Sequence, residues 1–296
     1  MSEDKKGAGG YTASVHPKPP SSLDYDGFLH ELALKSWHRA MLEGDAERAE
    51  TNAKKLAASH DKFWRFVGHI HLSTSRLTRG QATLALDALA EAARVFAEPG
   101  DIAAIAKSLR AHIHLETHSP KSALSTLQGA VATPEVSYWR ALAYARQGRR
   151  EEAVELACGL ERLGKSTSDA FAAHIRGELD PGTRLASLQR AADAVEEQAV
   201  LSPEPVLPIR FAYASALEDA GFNADAEARF REITSAPGSL AYWPIPYIRS
   251  LYRLGRLGSD EITRQRSMKS FAAFWKDGEL DRAAVQAAFR SQSVNR

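Results

Sequence analysis

Among 296 residues there is a single cysteine, Cys158. One thiol can close no disulfide within the chain and supplies no thiolate cluster for a structural zinc site, so a disulfide scaffold and a cysteine-built metal centre are both excluded. A reducing compartment fits. An excess of charge of either sign is also missing: 38 Lys and Arg stand against 37 Asp and Glu, a net +1. That removes the broad field that non-specific nucleic-acid binding needs. No stretch approaches the roughly 18 uninterrupted apolar residues of a bilayer span, and the N-terminus lacks the apolar centre of a signal peptide. The expectation is a cytoplasmic protein with no nucleic-acid partner and no membrane insertion.

Strand signals are absent as well, since no segment shows sustained period-two alternation with β-branched enrichment. Catalytic signatures are missing too. The chain has no Gly-x-Ser-x-Gly elbow, no His-Glu-x-x-His pair, and neither the His-Arg-Asp nor the Asp-Phe-Gly segment of a kinase. The run GAGG at residues 7–10 follows no strand and lacks the full glycine spacing of a phosphate loop. These absences predict a protein that is not an enzyme and holds no cofactor or metal.

What the chain does contain is helical pattern. Residues 1–22, rich in Gly, Ser, Pro and Lys, offer little to bury and read as a disordered tail, as does the end at 291–296. Between them, residues 23–290 carry Ala-, Leu-, Arg- and Glu-rich runs, cut at Gly44, Gly80, Ser119-Pro120, Pro134, Gly148, Gly164, Gly221 and Gly258. The pieces have the length of single short helices joined by tight turns.

A small motif recurs at three of the turns. A glycine is followed five residues later by alanine and seven residues after that by an aliphatic side chain: Gly44, Ala49, Leu56; Gly148, Ala153, Leu160; Gly221, Ala226, Ile233. Glycine ends the first helix by taking the left-handed conformation that other residues reach only at a cost of about 1 kcal/mol or more. Alanine marks the close crossing of two antiparallel helices, where a larger side chain would push the axes apart.

This spacing resembles the tetratricopeptide repeat. In the segment VSYWRALAYARQGRREEAVELACGL, Ala141 stands at the first-helix small position, Tyr144 at the aromatic position, Gly148 at the turn and Ala153 at the second-helix small position. Ala214, Leu217, Gly221, Ala226 and Phe230 repeat the pattern further on. The stretch YWPIPYIRSLYRLGRL with the later SFAAFWKDGEL is similar to the last repeat of the tetratricopeptide regions attached to bacterial serine/threonine kinases and related signalling proteins. The resemblance implies an all-α, right-handed superhelical solenoid of about seven hairpins. It also implies a protein or peptide partner, held as an extended peptide or a helix in a concave groove lined by first helices.

On that register the groove positions are His38, Tyr138, Leu142, Arg146, Phe211, Ser215, Arg249 and Arg253. The carboxylate clamp that some such domains use for chaperone tails needs asparagines on first helices. Asn52, Asn223 and Asn295 are the only ones here, falling on a second helix, at a turn and in the tail. Histidines cluster in GHIHL (68–72) and AHIHL (111–115), with His174 in AHIRG. Two histidines at i and i+2 of one helix point about 200° apart and cannot chelate together, so they read as packing residues. Cys158 reads as a small hydrophobe. The expected function is a non-catalytic scaffold or adaptor in bacterial signalling or complex assembly. The alternative is a ligand-responsive regulatory domain that closes around a peptide or small molecule.

Overall fold

The computed structural model describes residues 25–97, 100–196, 205–236 and 238–294; the tail expected over residues 1–22 and Asn295 lie outside them. The described residues form sixteen helices and no strand. They pair in chain order: α1 (Tyr25–Leu42) with α2 (Ala46–Ala57), α3 (Lys62–Thr78) with α4 (Ala82–Val95), α5 (Asp101–Glu116) with α6 (Pro120–Leu127), and α7 (Pro134–Arg146) with α8 (Arg150–Glu161). The series continues with α9 (Ser166–Leu179) and α10 (Arg184–Ala194), α11 (Val206–Asp219) and α12 (Asn223–Ser235), the single-turn α13 (Ser239–Tyr242), then α14 (Pro244–Leu257) and α15 (Glu261–Trp275). The last helix, α16 (Arg282–Val294), corrects the sequence expectation at this end, because helix continues past residue 290. An Ala-rich run with Val285 and Ala288 buried supplies an apolar stripe, and no glycine or proline stops the helix earlier.

The hairpin turns have a common construction. Gly44, Gly148 and Gly221 all lie in the left-handed region, with φ of 73°, 73° and 83°. In each, the amide after the glycine reaches back to a carbonyl in the last turn: Asp45 to Ala40, Arg149 to Tyr144 and Phe222 to Leu217. This satisfies carbonyls that the helix end would otherwise leave bare. Two more turns share the geometry, at Gly80 and at His118, whose φ of 58° is unusual for a residue with a side chain. The alanines that follow the three motif glycines, Ala49, Ala153 and Ala226, are fully buried, and so are Leu56, Leu160 and Ile233.

Side chains finish the helix ends. Asp45, Asp61, Thr133 and Asp260 accept backbone N–H bonds in the first turns of α2, α3, α7 and α15. Arginines on later helices add bonds to carbonyls at helix C-terminal ends: Arg146 to Leu115 at 2.9 Å, Arg140 to Leu127 at 3.0 Å and Arg210 to Val195 at 3.0 Å. A cation at the negative end of a helix dipole adds to each bond.

Two large cores hold the described residues, beside a smaller cluster of Phe66, Ala92 and Ala106. One runs through α5–α12 and includes Tyr138, Trp139, Phe171, Ala153, Ala226 and Phe230. The other joins opposite ends of the chain, with Trp37, Met41, Leu77 and Leu89 against Ile248, Phe271, Trp275 and Leu280. The row of hairpins therefore bends back until α13 touches α1 and α3, and α14 touches α3. A clasp fastens this junction. Leu77 O accepts the Trp275 indole N–H at 3.1 Å, and Gly80 O accepts the amides of Glu279 and Leu280 at 2.9 and 3.2 Å. The Glu279 carboxylate accepts both the amide and the hydroxyl of Thr83 at 2.8 Å. It thereby caps the start of α4, whose own N-cap residue Gln81 makes no side-chain cap. Gly278 lies so close to the α3–α4 turn that a Cβ there would sit 2.6 Å from Arg79 O.

Candidate functional site

The inner helices α5, α7, α9, α11 and α14 each turn one stripe toward a common space. Helical spacing sets the stripes, because residues four apart share a face. Thus α5 presents His112 and Glu116, α7 presents Tyr138, Leu142 and Arg146, and α9 presents His174 and Glu178. Phe211, Ala212 and Ser215 come from α11, and Ile245, Pro246 and Arg249 from α14. Together they bound a cavity of about 360 Å³, within the size range of small-molecule sites.

Six of the eight predicted groove residues line this one space: Tyr138, Leu142, Arg146, Phe211, Ser215 and Arg249. The other two do not. His38 lies in the closing junction, its Nδ1 3.1 Å from Leu34 O and its ring beside Trp37, His71 and Tyr242. Arg253 points from the next turn of α14 to Glu218 on α11, donating at 3.1 Å. The placement also changes the expected shape of the site. Tyr138 and Leu142 are essentially inaccessible, at 0% and 1% exposure, so they form the packed backing of a partly open hollow.

The electrostatics divide into a closed set and an open set. Arg249 forms a bidentate pair with Asp281 at 2.8 and 3.0 Å and also bonds Glu116, tying α5, α14 and the α15–α16 turn together. Burial would raise the Glu116 carboxyl, but Arg249, helped by His112 and Arg146, overcomes it and holds the pKa down to about 2. For Arg249 the pull of Glu116 and Asp281 outweighs burial in the same way and raises its pKa. At the rim, Arg184 pairs with Asp219 at 2.9 Å.

The open set is Arg146, Glu178, His112, His174 and Ser215. Arg146 is steadied by its bond to Leu115 O, yet its nearest approach to Glu178 is 3.7 Å. His174 shares a 2.8 Å hydrogen bond with the Tyr138 hydroxyl through Nδ1, while its Nε2 stands 4.0 Å from Glu178. No hydrogen bond reaches the Glu178 carboxylate. The buried His112 Nδ1 and Ser215 Oγ also have no partner, an arrangement that costs free energy unless something else satisfies them. Burial lowers both histidines to about 4, against the opposing pull of Glu116 on His112 and Glu178 on His174, so both are neutral near pH 7. Burial likewise raises the Tyr138 phenol well above its ordinary range.

No family model matches this chain, and no curated protein is significantly similar to it. The chemistry of the site therefore stands on its own residues. Among the described residues no three His, Cys, Asp or Glu side chains are placed to hold a metal ion. The space combines apolar lining, an ion pair at 3.7 Å and buried polar atoms without a hydrogen-bond partner.

The sequence reading took His112 and His174 as packing residues and passed over Glu116 and Glu178. A signal for them exists, because Ala-His-Ile occurs at 111–113 and again at 173–175, each time with glutamate four residues after the histidine. Such a repeat places an equivalent His/Glu stripe on two inner helices. His118 lies at the cavity edge, on the turn of the shared geometry that uses no glycine.

Proposed function

We propose that this chain is a non-catalytic recognition module, in which a superhelical row of tetratricopeptide-like hairpins closes around a small molecule or short peptide end. The convergence of six inner-helix positions on one cavity containing unpartnered buried polar atoms carries this reading. A ligand held between α5, α7, α9, α11 and α14 touches both ends of the row, since α14 also packs on α3 across the junction. Occupancy thereby favours the closed state, which is the form of a sensor domain. The resemblance to repeat regions of bacterial kinase-associated proteins supports a place in cytoplasmic signalling.

Native mass spectrometry of the chain purified from its cell tests this. A bound species of a few hundred daltons is expected, retained by the wild type and lost from Ala212→Trp, which fills the cavity. Failure to retain any such species, or equal retention by both proteins, overturns the reading.

A second reading is a scaffold or adaptor that binds a partner protein, favoured by three apolar side chains on α1. Phe28, Leu29 and Leu32 are 53%, 41% and 50% exposed. Affinity capture with Phe28→Ser/Leu32→Ser against wild type distinguishes it: the adaptor reading requires a partner that the double variant loses.

A further inference from the structure

We infer that the cavity is a site for a free apolar α-amino acid, bound as its zwitterion with Arg146 and Glu178 holding the two charges of the head group. The inference rests on the cavity being the binding site of the preceding section and names its ligand class.

Charge balance narrows the class first. Arg249 is committed to Glu116 and Asp281, and Arg184 to Asp219, so these groups present no unmatched charge to a ligand. What remains is the Arg146–Glu178 pair, side by side on α7 and α9 and 3.7 Å apart at its nearest atoms. A simple anion would pair with Arg146 and strand Glu178; a simple amine would do the reverse. The two side chains are only partly exposed, at 32% and 20%, so a charge left unmatched there carries a desolvation cost. A ligand with an ammonium and a carboxylate on the same carbon meets both neighbours at once and enters with no net charge. It also replaces a long ion pair with two charge-assisted hydrogen bonds, which are the strong ones.

Hydrogen-bonding capacity agrees. Glu178 accepts no hydrogen bond from the protein, although Arg146 and His174 stand 3.7 and 4.0 Å away. The His112 Nδ1, 3.8 Å from Glu116 Oε1, and the Ser215 Oγ make no hydrogen bond, and both are sealed off, so they reach a ligand only if their side chains turn. An ammonium has three N–H groups to place, so one carboxylate alone does not satisfy it. The rest of the wall sets the side-chain preference: Leu142, Trp139, Phe211 and Ile245 bound the same space. An aliphatic or aromatic amino-acid side chain leaves water there, which is favourable in proportion to the apolar area it buries.

Isothermal titration calorimetry of the full chain tests the assignment with four probes: L-leucine, L-phenylalanine, 3-methylbutylamine (the head reduced to an amine) and 4-methylpentanoate (the head reduced to a carboxylate). The expected result is saturable binding of at least one amino acid, with both single-headed analogues weaker by about 10- to 100-fold, the usual worth of one charge-assisted bond. Glu178→Gln, nearly the same shape, weakens amino-acid binding to a similar extent while leaving the melting temperature of the free protein close to wild type.

Analogues that bind as tightly as leucine, or a Glu178→Gln protein that binds leucine unchanged, overturn the zwitterion assignment. The same holds if no probe binds while native mass spectrometry still finds a species lost from Ala212→Trp; the cavity reading then survives without this ligand class. No calorimetric binding together with no retained species overturns both.

Discussion

The arc from α5 to α12 and the junction that joins α1–α4 to α13–α16 are made of similar helices but held by different kinds of contact. In the arc each helix rests mainly on its chain neighbours, and turn glycines and buried alanines set the approach. In the junction the partners are far apart in the chain: Trp275 bonds the carbonyl of Leu77, and Glu279 caps α4 through Thr83. Local contacts cost little loop-closure entropy, whereas distant ones must first bring the ends together. The arc is thus the part that forms on its own terms. The junction is the part whose closure a ligand or partner can bias.

The largest expected effect breaks the junction alone. Trp275→Ala removes a fully buried indole and its bond to Leu77 O, and should cost about 3–5 kcal/mol in chemical denaturation. Amide exchange should rise in α1–α4 and α14–α16 while α7–α10 keeps its protection. A uniform rise would show that the two regions unfold as a single unit.

Acid should strain both regions, since burial lowers His71, stacked on Trp37 in the junction, to about 3. His112 and His174 have folded pKa values near 4, below the ordinary 6.5, so the unfolded chain takes up their protons first. The stability they confer is complete above about pH 6.5 and is lost as pH falls toward 4, at up to about 1.4 kcal/mol per pH unit for each proton. The groups facing them are Glu116, Arg146 and Arg249 for His112, and Glu178, Arg146, Arg184 and Glu116 for His174. Glu116, held near 2, adds a loss that begins below about 4.5. A melting temperature that stays level from pH 7 to 4.5 would contradict this.

Smaller changes sharpen the contrast. Gly278→Ala forces a Cβ to within 2.6 Å of Arg79 O and should cost about 1–3 kcal/mol by overpacking, again read in urea melts as a junction defect. Glu279→Ala takes the cap from α4 and should cost about 1 kcal/mol, an effect that Thr83→Ala reproduces in part and does not add to. His118→Gly lies on the arc side and has the opposite sign. It relieves a left-handed side-chain residue, so the melting temperature should rise by an amount corresponding to about 1 kcal/mol. Affinity of the cavity for its ligand, measured alongside, shows whether that strain serves the site.

Much of the arc was legible in the residues. The glycine–alanine–aliphatic motif at 44, 148 and 221 located three hairpins, and the register along α7 put Tyr138, Leu142 and Arg146 on one inner face. The same register places His38 and Arg253 elsewhere, His38 among the rings of the junction and Arg253 at the α11–α14 contact. His112 and His174 were read as packing residues since each looks ordinary on its own helix; only their convergence with Glu116 and Glu178 marks them.

Amino-acid order alone determined that this chain is helical, where its hairpins turn and which small side chains let them touch, because those choices are made by groups a few residues apart. Whether the row stays open or returns to its start, and therefore whether its inner face is a long trough or a bounded hollow, was decided in three dimensions. Trp275, Gly278 and Glu279 meet Leu77, Gly80 and Thr83 across almost 200 residues. No periodicity within either segment encodes that meeting, since its free energy exists only once both surfaces are already formed.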